Sequence, residues 1–253
     1  MRQIVLGSSG EKVPIIGMGT ARMGSIKSKR QQELDAIREG INLGMTLIDT
    51  AEEYGNGDSE RLVGEAIKGQ REKVFIATKV GTENFSFDNV IKACDRSLER
   101  LGVSFIDLYQ LHWPSRTVNI SDTIRAMESL VNLGKIRYIG LSNFSVGDFI
   151  DVHSCLKQYE VMSDQLRYNY FDRTIETGLL KFCEQMKMTV ISSSPLNMMN
   201  VGQVERFSQE TNQTESQFML SWVTRSGNVC AIPKASNVFH VEVNSKTPEW
   251  RTP

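Results

Sequence analysis

The chain has 253 residues, 40% of them hydrophobic and 23% charged, which is the composition of an ordinary globular protein with a sizeable core. A formal net charge of −1 gives no basic surface for nucleic acid or an anionic membrane, and the apolar runs are far shorter than the roughly 20 residues of a membrane-spanning helix. The N-terminal segment lacks the apolar core of a signal peptide. We therefore expect a cytoplasmic monomer or weak homo-oligomer without nucleic-acid or membrane partners.

The cysteines give no sign of a metal or redox site. They are Cys94, Cys155, Cys183 and Cys230, which are far apart and form no CxxC pair. We expect four reduced thiols and no bound metal.

Along the chain, short strand-like runs alternate with helical patterns after a predicted N-terminal β-hairpin (QIVL, an SSGEK turn, VPIIGMG). The eight strand-like runs are IIGMG (15–19), MTLID (45–49), KVFIATK (73–79), FIDLYQLH (105–112), YIGLS (138–142), VMSDQLR (161–167), MTVISSS (188–194) and VCAIPK (229–234). Helical spacing of apolar residues is clearest over 34–41, 90–101 and 120–131, with a glycine after each stretch at Gly44, Gly102 and Gly134. Ser145 and Asp148 have the spacing of a helix capping box.

Eight β/α units without a flexible linker predict an α/β fold, a single (β/α)₈ TIM barrel that takes up residues 1–253 as one domain. The alternative is an open doubly wound sheet. It is less favoured because the first glycine cluster, G-M-G-T-A-R, lacks the third glycine of the dinucleotide-binding fingerprint.

Active sites of such barrels lie at the C-terminal ends of the strands, and the polar residues there form a candidate site. They are Asp49, Lys79, His112, Ser142, Asn143, Gln165, Ser193, Ser194 and Lys234, with Tyr54 in the loop after Asp49. Taken alone, Asp49 would close a loop, Lys79 would end a strand in solvent and His112 would be a core histidine. Ionisable groups of four types on three neighbouring strand ends instead favour an active site.

These side chains suit proton delivery to a carbonyl oxygen. A tyrosine hydroxyl has a reference pKa near ~10, and a neighbouring ammonium lowers the tyrosine pKa. Lys79 can supply that ammonium and Asp49 can hold it by an ion pair, while His112 can donate a hydrogen bond that orients the carbonyl. None of the four is a hydride donor, so the reaction needs a cofactor.

Five ordered motifs resemble the aldo-keto reductase family: LIDTAEEYGNGDSE, FIATKV, LYQLHWP, IGLSNF and IPKASN. The resemblance runs from about residue 4 to about residue 246. It implies a TIM barrel without a Rossmann domain and NAD(P)H-dependent reduction of aldehydes and ketones without a metal. It also implies that Tyr54 is the general acid, that Lys79 and Asp49 tune it, and that His112 orients the substrate.

The same resemblance implies a cofactor site for NADPH, with NADH possible. Ser142, Asn143 and Gln165 would bind the nicotinamide carboxamide, which needs both donors and acceptors. Lys234 would bind the adenosine 2′-phosphate. The further cofactor contacts implied are Gly19, Thr20, Ser194, Leu196, Ser236, Asn237, His240 and Asn244. Without the motifs, SNF would be a turn with a helix cap, and Lys234 a solvated strand end.

Several positions depart from the family pattern. Ser193 replaces the aromatic residue that stacks on the nicotinamide, which predicts weaker cofactor binding. His240 replaces a phosphate-binding arginine, and Asp164 replaces the asparagine before Gln165. Ala21 stands where many members have tryptophan.

The substrate pocket is predicted to be open, shallow and unselective, because the chain ends soon after the last helical segment, with TPEWRTP. Tyr54, His112, Trp113 and Ala21 would contact the substrate. The loops that decide specificity are 22–28, 82–87, 113–120 and 195–203, and their contacts are not readable from one sequence.

Our interpretation is an NADPH-preferring enzyme that reduces small aldehydes or ketones. One alternative is an NADPH-binding regulatory or redox-sensing protein with slow turnover. Another is a lyase with Lys79 as a Schiff-base nucleophile, which leaves Tyr54 and the IPKASN segment without roles.

Overall fold

The computed structural model describes residues 1–196 and 204–250. The strands are β1 (Gln3–Val5), β2 (Lys12–Pro14), β3 (Met18–Gly19), β4 (Leu47–Asp49), β5 (Phe75–Val80), β6 (Ile106–Leu111), β7 (Ile136–Ser142), β8 (Val161–Arg167), β9 (Thr189–Ser193) and β10 (Val229–Ala231). The α-helices are α1 (Arg30–Asn42), α2 (Asp58–Ala66), α3 (Phe87–Leu101), α4 (Ile120–Asn132), α5 (Val146–Cys155), α6 (Leu179–Gln185), α7 (Glu205–Glu210), α8 (Glu215–Val223) and α9 (Val238–Ser245).

Strands β3 to β10 form one parallel sheet in which each strand pairs with its successor in the chain. Parallel bridges from Ile16 to Ala231 and from Gly19 to Lys234 join β3 to β10 and close the sheet into a barrel. Helices alternate with the strands around it. The predicted (β/α)₈ barrel is therefore confirmed. That residues 1–253 form one domain stays a prediction, since 197–203 and 251–253 lie outside the described residues.

The N-terminal hairpin is also confirmed, with a shorter second arm than VPIIGMG. β1 pairs antiparallel with β2, and the second arm ends at Pro14. From Ile16 onward the backbone bonds to the barrel instead, with Gly17 N donating to the Ala231 carbonyl at 2.8 Å. Leu6 and Val13 pack against the residues that line the barrel interior, so the hairpin covers the N-terminal end of the barrel.

The helix ends follow the sequence signals. Ser145 and Asp148 form the predicted capping box at the start of α5. Gly44, Gly102 and Gly134 follow α1, α3 and α4 with φ between 65° and 85°, a left-handed conformation that glycine adopts without a steric penalty.

Polar side chains stand above an apolar floor inside the barrel. Because strand side chains alternate between faces, residues two positions apart share the interior. Leu47, Ala77 and Leu108 belong to the interior apolar cluster. Two positions further along the same strands come Asp49, Lys79 and Gln110, all buried. The C-terminal mouth of the barrel is therefore lined by charged and amide groups.

The described part of the chain lacks both a membrane-crossing helix and a metal-ligating cluster. Among the described helices, none has the length and apolarity needed to cross a membrane. In the same parts of the chain, no group of three or more histidine, cysteine, aspartate or glutamate side chains could hold a metal ion.

Candidate active site

A buried ion pair forms the centre of the site. Lys79 on β5 has no exposed surface, and its Nζ donates to the two carboxylate oxygens of Asp49 at 2.8 and 2.7 Å. The same ammonium donates to the backbone carbonyl of Thr50 at 2.8 Å. Burial alone would lower the pKa of Lys79, but Asp49 and Tyr54 together outweigh burial and the pKa rises. Lys79 is therefore a fixed cation in the barrel mouth.

Two amide side chains hold the Asp49 carboxylate in place. Gln165 Nε2 on β8 donates to Asp49 Oδ1 at 2.7 Å, and Gln110 Nε2 on β6 lies 3.4 Å from the same oxygen. A buried carboxylate needs such donors because water no longer solvates it. The ion pair thus connects the ends of β4, β5, β6 and β8.

Tyr54 lies over the ion pair, in the loop between β4 and α2. Lys79 Nζ is 3.4 Å from the Tyr54 hydroxyl and 4.9 Å from the centre of its ring. The expected net decrease in the Tyr54 pKa is wrong, because burial raises this pKa by more than Lys79 lowers it. The hydroxyl therefore keeps its proton at neutral pH, as a proton donor must.

His112 follows β6 and stands beside Tyr54. The two ring centroids are 5.9 Å apart and the ring planes meet at 76°. Burial and the Lys79 charge lower the pKa of His112 to about 4, so the imidazole is neutral at pH 7. The structure thus brings Asp49, Tyr54, Lys79 and His112 together in one cluster, which we call the tetrad.

The three residues expected to bind the nicotinamide carboxamide adjoin this cluster. The Ser142 hydroxyl donates to the Gln165 backbone carbonyl at 3.2 Å. Asn143 Nδ2 donates to the Ser142 hydroxyl at 3.0 Å and to the His112 backbone carbonyl at 3.1 Å. Asn143 has a φ of 64°, a left-handed conformation that asparagine tolerates better than most residues. The SNF turn therefore places polar groups beside the tetrad.

A cavity of about 490 Å³ opens over Asp49 and Tyr54, and neither Lys79 nor His112 lines it. The predicted site residues in its wall are Gly19, Ala21, Asp49, Tyr54, Gln165, Ser193, Ser194, Leu196 and Lys234. A second cavity of about 390 Å³ adjoins it at Leu196 and Lys234 and reaches His240 and Asn244. Together they make a trench from Tyr54 to the start of α9.

The far end of the trench carries groups of both signs, because Glu215 lines it together with Lys234. Lys234 and His240 are exposed there, and no ion pair to Lys234 occurs in the described ranges. Asn237 caps α9, since its Oδ1 accepts from the His240 backbone N–H at 2.8 Å. The Ser236 carbonyl accepts from Gln32 at 2.8 Å. Asn237 and Ser236 thus have internal partners, and their cofactor contacts stay predictions.

The Thr20 side chain is held by hydrogen bonds within the protein. It is fully buried, and its hydroxyl donates to the Asp49 carbonyl at 2.9 Å and accepts from the Ser59 hydroxyl at 2.7 Å. Because both hydrogen-bonding roles of this hydroxyl are occupied, the Thr20 side chain supports the Asp49 backbone. The predicted cofactor contact of Thr20 is untested.

The predicted substrate residues lie around the mouth. Ala21 borders the first cavity, and Trp113 packs on His112 with ring centroids 6.2 Å apart while 52% of its surface is exposed. Of the predicted specificity loops, 22–28, 82–87 and 113–120 are described, and 195–203 lies outside the described residues from 197 onward.

Sequence reasoning missed two residues at the site, Gln110 and Glu53, and did not single out Arg22 within the predicted specificity loop 22–28. Gln110 approaches Asp49, Glu53 contacts His112, and Arg22 lines both the main cavity and a neighbouring cavity beside Tyr54. Gln110 follows Leu108 by two positions, so strand alternation could have placed it in the barrel mouth. No comparable signal marks Glu53 and Arg22, because both lie in loops.

Comparison with known proteins agrees with this geometry. The model of the aldo/keto reductase family matches residues 15–213, and the chain belongs to this family. It is accordingly an NAD(P)H-dependent oxidoreductase, as the sequence motifs predict.

Relatives from several bacteria are similar along nearly the whole chain. Methylglyoxal reductase of Escherichia coli is 38% identical, over 98% of this chain and 90% of its own length. A Klebsiella pneumoniae aldo-keto reductase solved in complex with NADPH is 35% identical, with a TM-score of 0.92 and coverage of 98% and 90% of the two chains. A thermostable aldo-keto reductase solved with the inhibitor epalrestat is 35% identical, with a TM-score of 0.95 and coverage of 100% and 96%.

Asp164, one position before Gln165 in β8, is a buried acid whose side chain faces away from the barrel interior, because neighbouring strand residues face opposite sides of the sheet. It is 2% exposed, and its Oδ1 has no hydrogen-bond partner within the described ranges. Burial raises the pKa of Asp164 to about 8, against a backbone hydrogen bond from Phe144 that lowers it. The folded state therefore keeps a proton that the unfolded chain releases above pH ~4.

We predict that Asp164 makes the free energy of unfolding fall as pH rises from about 6.5 to about 8, because the unfolded state binds fewer protons over that range. Below about 6.5 the lowered pKa of His112 acts in the opposite sense and offsets the contribution of Asp164. Asp164→Asn should remove this dependence and stabilise the protein by on the order of a few kcal/mol at pH 8. Urea unfolding at pH 5, pH 7 and pH 8 measures the effect. Asp151→Asn, on the exposed face of α5, is the control. Equal pH dependence in wild type and Asp164→Asn would contradict the prediction.

Proposed function

We propose that the chain reduces small aldehydes and ketones to alcohols with NADPH, with Tyr54 as the proton donor. The observation that carries the proposal is the contact of a protonated, partly buried Tyr54 with Lys79, at one end of a trench whose other end holds Lys234. The sequence match to a methylglyoxal reductase and the structural match to a reductase solved with NADPH support it.

The trench fits the chemistry of a dinucleotide. Gln165 lines its inner end, and Ser142 and Asn143 adjoin Gln165 through hydrogen bonds to its backbone carbonyl, so amide and hydroxyl groups suited to a carboxamide lie at this end. Its outer end offers Lys234 and the N-terminus of α9 for a phosphate, since helix N-termini and ammonium groups attract anions. Ser193 lines the inner end where the family pattern has an aromatic ring, so a nicotinamide bound here would lack aromatic stacking from this position.

When bound, NADPH supplies a hydride from carbon 4 of the nicotinamide, which adds to the carbonyl carbon. Tyr54 transfers its hydroxyl proton to the carbonyl oxygen, which gives the alcohol and leaves a tyrosinate. The Lys79 ammonium, 3.4 Å away, stabilises that negative charge as it forms. Water then returns a proton to Tyr54. Asp49 acts through Lys79, by holding the ammonium under the phenol.

The first substrate to test is methylglyoxal, because the relative from Escherichia coli carries that activity in its name. The trench is open to solvent on the side of Ala21 and Arg22, which suits small polar carbonyl compounds of several shapes. We also propose that the whole chain acts as one catalytic domain.

We predict that Tyr54→Phe lowers kcat by about 10²-fold to 10⁴-fold, because the change removes the proton donor and leaves the ring. The rate of NADPH oxidation with methylglyoxal measures it. The dissociation constant for NADPH, from quenching of tryptophan fluorescence, should stay within about threefold of wild type. Retention of most of the kcat in this variant would exclude Tyr54 as the acid.

We predict that Lys234→Met raises the dissociation constant for NADPH on the order of tenfold and changes that for NADH little, because only NADPH carries the 2′-phosphate. Titration with each cofactor measures both constants. Lys246→Met is the matched control, because it makes the same change at a lysine on the other side of α9. Equal weakening of both cofactors would show that Lys234 does not recognise the phosphate.

A further inference from the structure

The loop that carries Tyr54 is anchored by a carboxylate that the chemistry described above does not use. Glu52 lies two positions before Tyr54, and only 8% of its side chain is exposed. Its Oε1 accepts hydrogen bonds from the backbone N–H of Gly81 and from Asn84 Nδ2, both at 2.8 Å. Gly81 directly follows β5, the strand of Lys79. The Glu52 side chain therefore ties the tyrosine loop to the end of the strand that bears the ammonium.

The backbone of the loop makes the same connection. The Glu52 N–H donates to the Lys79 carbonyl at 3.3 Å, and the Thr50 N–H donates to the Ala77 carbonyl at 2.8 Å. Both carbonyls belong to β5. Glu52 thus contributes a main-chain bond and two side-chain bonds to the end of this strand, two positions before the tyrosine.

Two arginines of α3 lie beside the other oxygen of the carboxylate. The Nη2 atoms of Arg96 and Arg100 are 3.8 and 3.9 Å from Glu52 Oε2. Arg100 also donates from Nε to Glu60 Oε2 at 2.5 Å, and Glu60 lies on α2, directly after the loop. Gly57 lets the arginine approach the loop, because a Cβ at this position would lie 2.4 Å from Arg100 Cδ. The loop is therefore held on both sides of its tyrosine.

We propose that Glu52 is a positioning residue that keeps the Tyr54 hydroxyl within reach of Lys79. The distance of 3.4 Å between the hydroxyl and Lys79 Nζ is near the upper limit for a hydrogen bond, so a small shift of the loop breaks the contact. Glu52 lines neither cavity of the trench, so it acts on the chemical step and not on cofactor binding. The catalytic part of this proposal rests on the proposed function, because that function assigns the proton transfer to Tyr54.

Replacement of Glu52 by alanine and by glutamine tests the catalytic part. Glutamine keeps an oxygen that accepts from Gly81 and Asn84, whereas alanine removes it. We expect Glu52→Ala to lower kcat with methylglyoxal by about 10-fold to 100-fold, because the proton donor is misplaced. The solvent deuterium isotope effect on kcat should rise in this variant, since proton transfer then limits the rate. Glu52→Gln should keep kcat within about threefold of wild type, and both variants should bind NADPH with a dissociation constant within about threefold of wild type.

The matched control is Glu65→Ala, because Glu65 is a glutamate of α2 that pairs with Arg30 at the surface. It should leave kcat and the isotope effect unchanged. An unchanged kcat in Glu52→Ala, or a lower kcat without a larger isotope effect, would overturn the proposal. If Glu52→Ala does not fold, Asn84→Ala decides, because it removes one donor to the same carboxylate. A smaller fall in kcat with a larger isotope effect supports the proposal, and no change in either overturns it.

Hydrogen–deuterium exchange measures the anchoring of the loop without any turnover. We expect the amides of residues 50–57 to exchange faster in Glu52→Ala than in wild type, and at the wild-type rate in Glu52→Gln and Glu65→Ala. Unchanged exchange in Glu52→Ala would overturn the anchoring. If the wild type reduces no carbonyl compound, the proposed function fails, and the exchange measurement still decides whether Glu52 holds the loop.

Discussion

The contact between Lys79 and Asp49 is the constraint on which the rest of the site depends. Both charges are buried, and the cost of removing them from water is offset only when every charged oxygen and proton has a partner. Thr50 and Gln165 complete that set of partners, at 2.8 and 2.7 Å. These bonds tie together strand ends that lie up to 116 residues apart in the chain, and they fix the cation under Tyr54. A change that breaks the pair would therefore disturb both the barrel mouth and the proton donor.

The same strands supply the core and the chemistry. Interior residues near the start of a strand are apolar and pack with the hairpin, as Leu47 does on β4. Interior residues near the end of the same strand are polar, as Asp49 is. The floor excludes water from below, which strengthens the electrostatic interaction between Lys79 and the phenol. The loops after the strands add further side chains to the mouth of the barrel. Glu53 is one example, because this loop carboxylate contacts His112.

The barrel and the tetrad could be predicted from sequence because both follow from local patterns. Eight apolar runs with a polar residue at each end gave the strands, and the barrel rule placed the ends together. The direction in which the Tyr54 pKa shifts could not be predicted, because the burial that raises it depends on how the loops assemble around the ring. The length of the hairpin was wrong because Ile16 bonds to β10, more than 200 residues away in the chain. Glu53 was missed because nothing in a loop sequence shows which way a carboxylate turns.

The most direct measurement follows the hydride itself. The protein is incubated with methylglyoxal and NADPH that carries deuterium at both positions of nicotinamide carbon 4, and the product is analysed by mass spectrometry. We expect one deuterium in the product, on the carbon that was the carbonyl carbon, with slower turnover than with unlabelled NADPH if hydride transfer limits the rate. An alcohol product without deuterium, or cofactor oxidation without an alcohol, would contradict reduction of a carbonyl by this site.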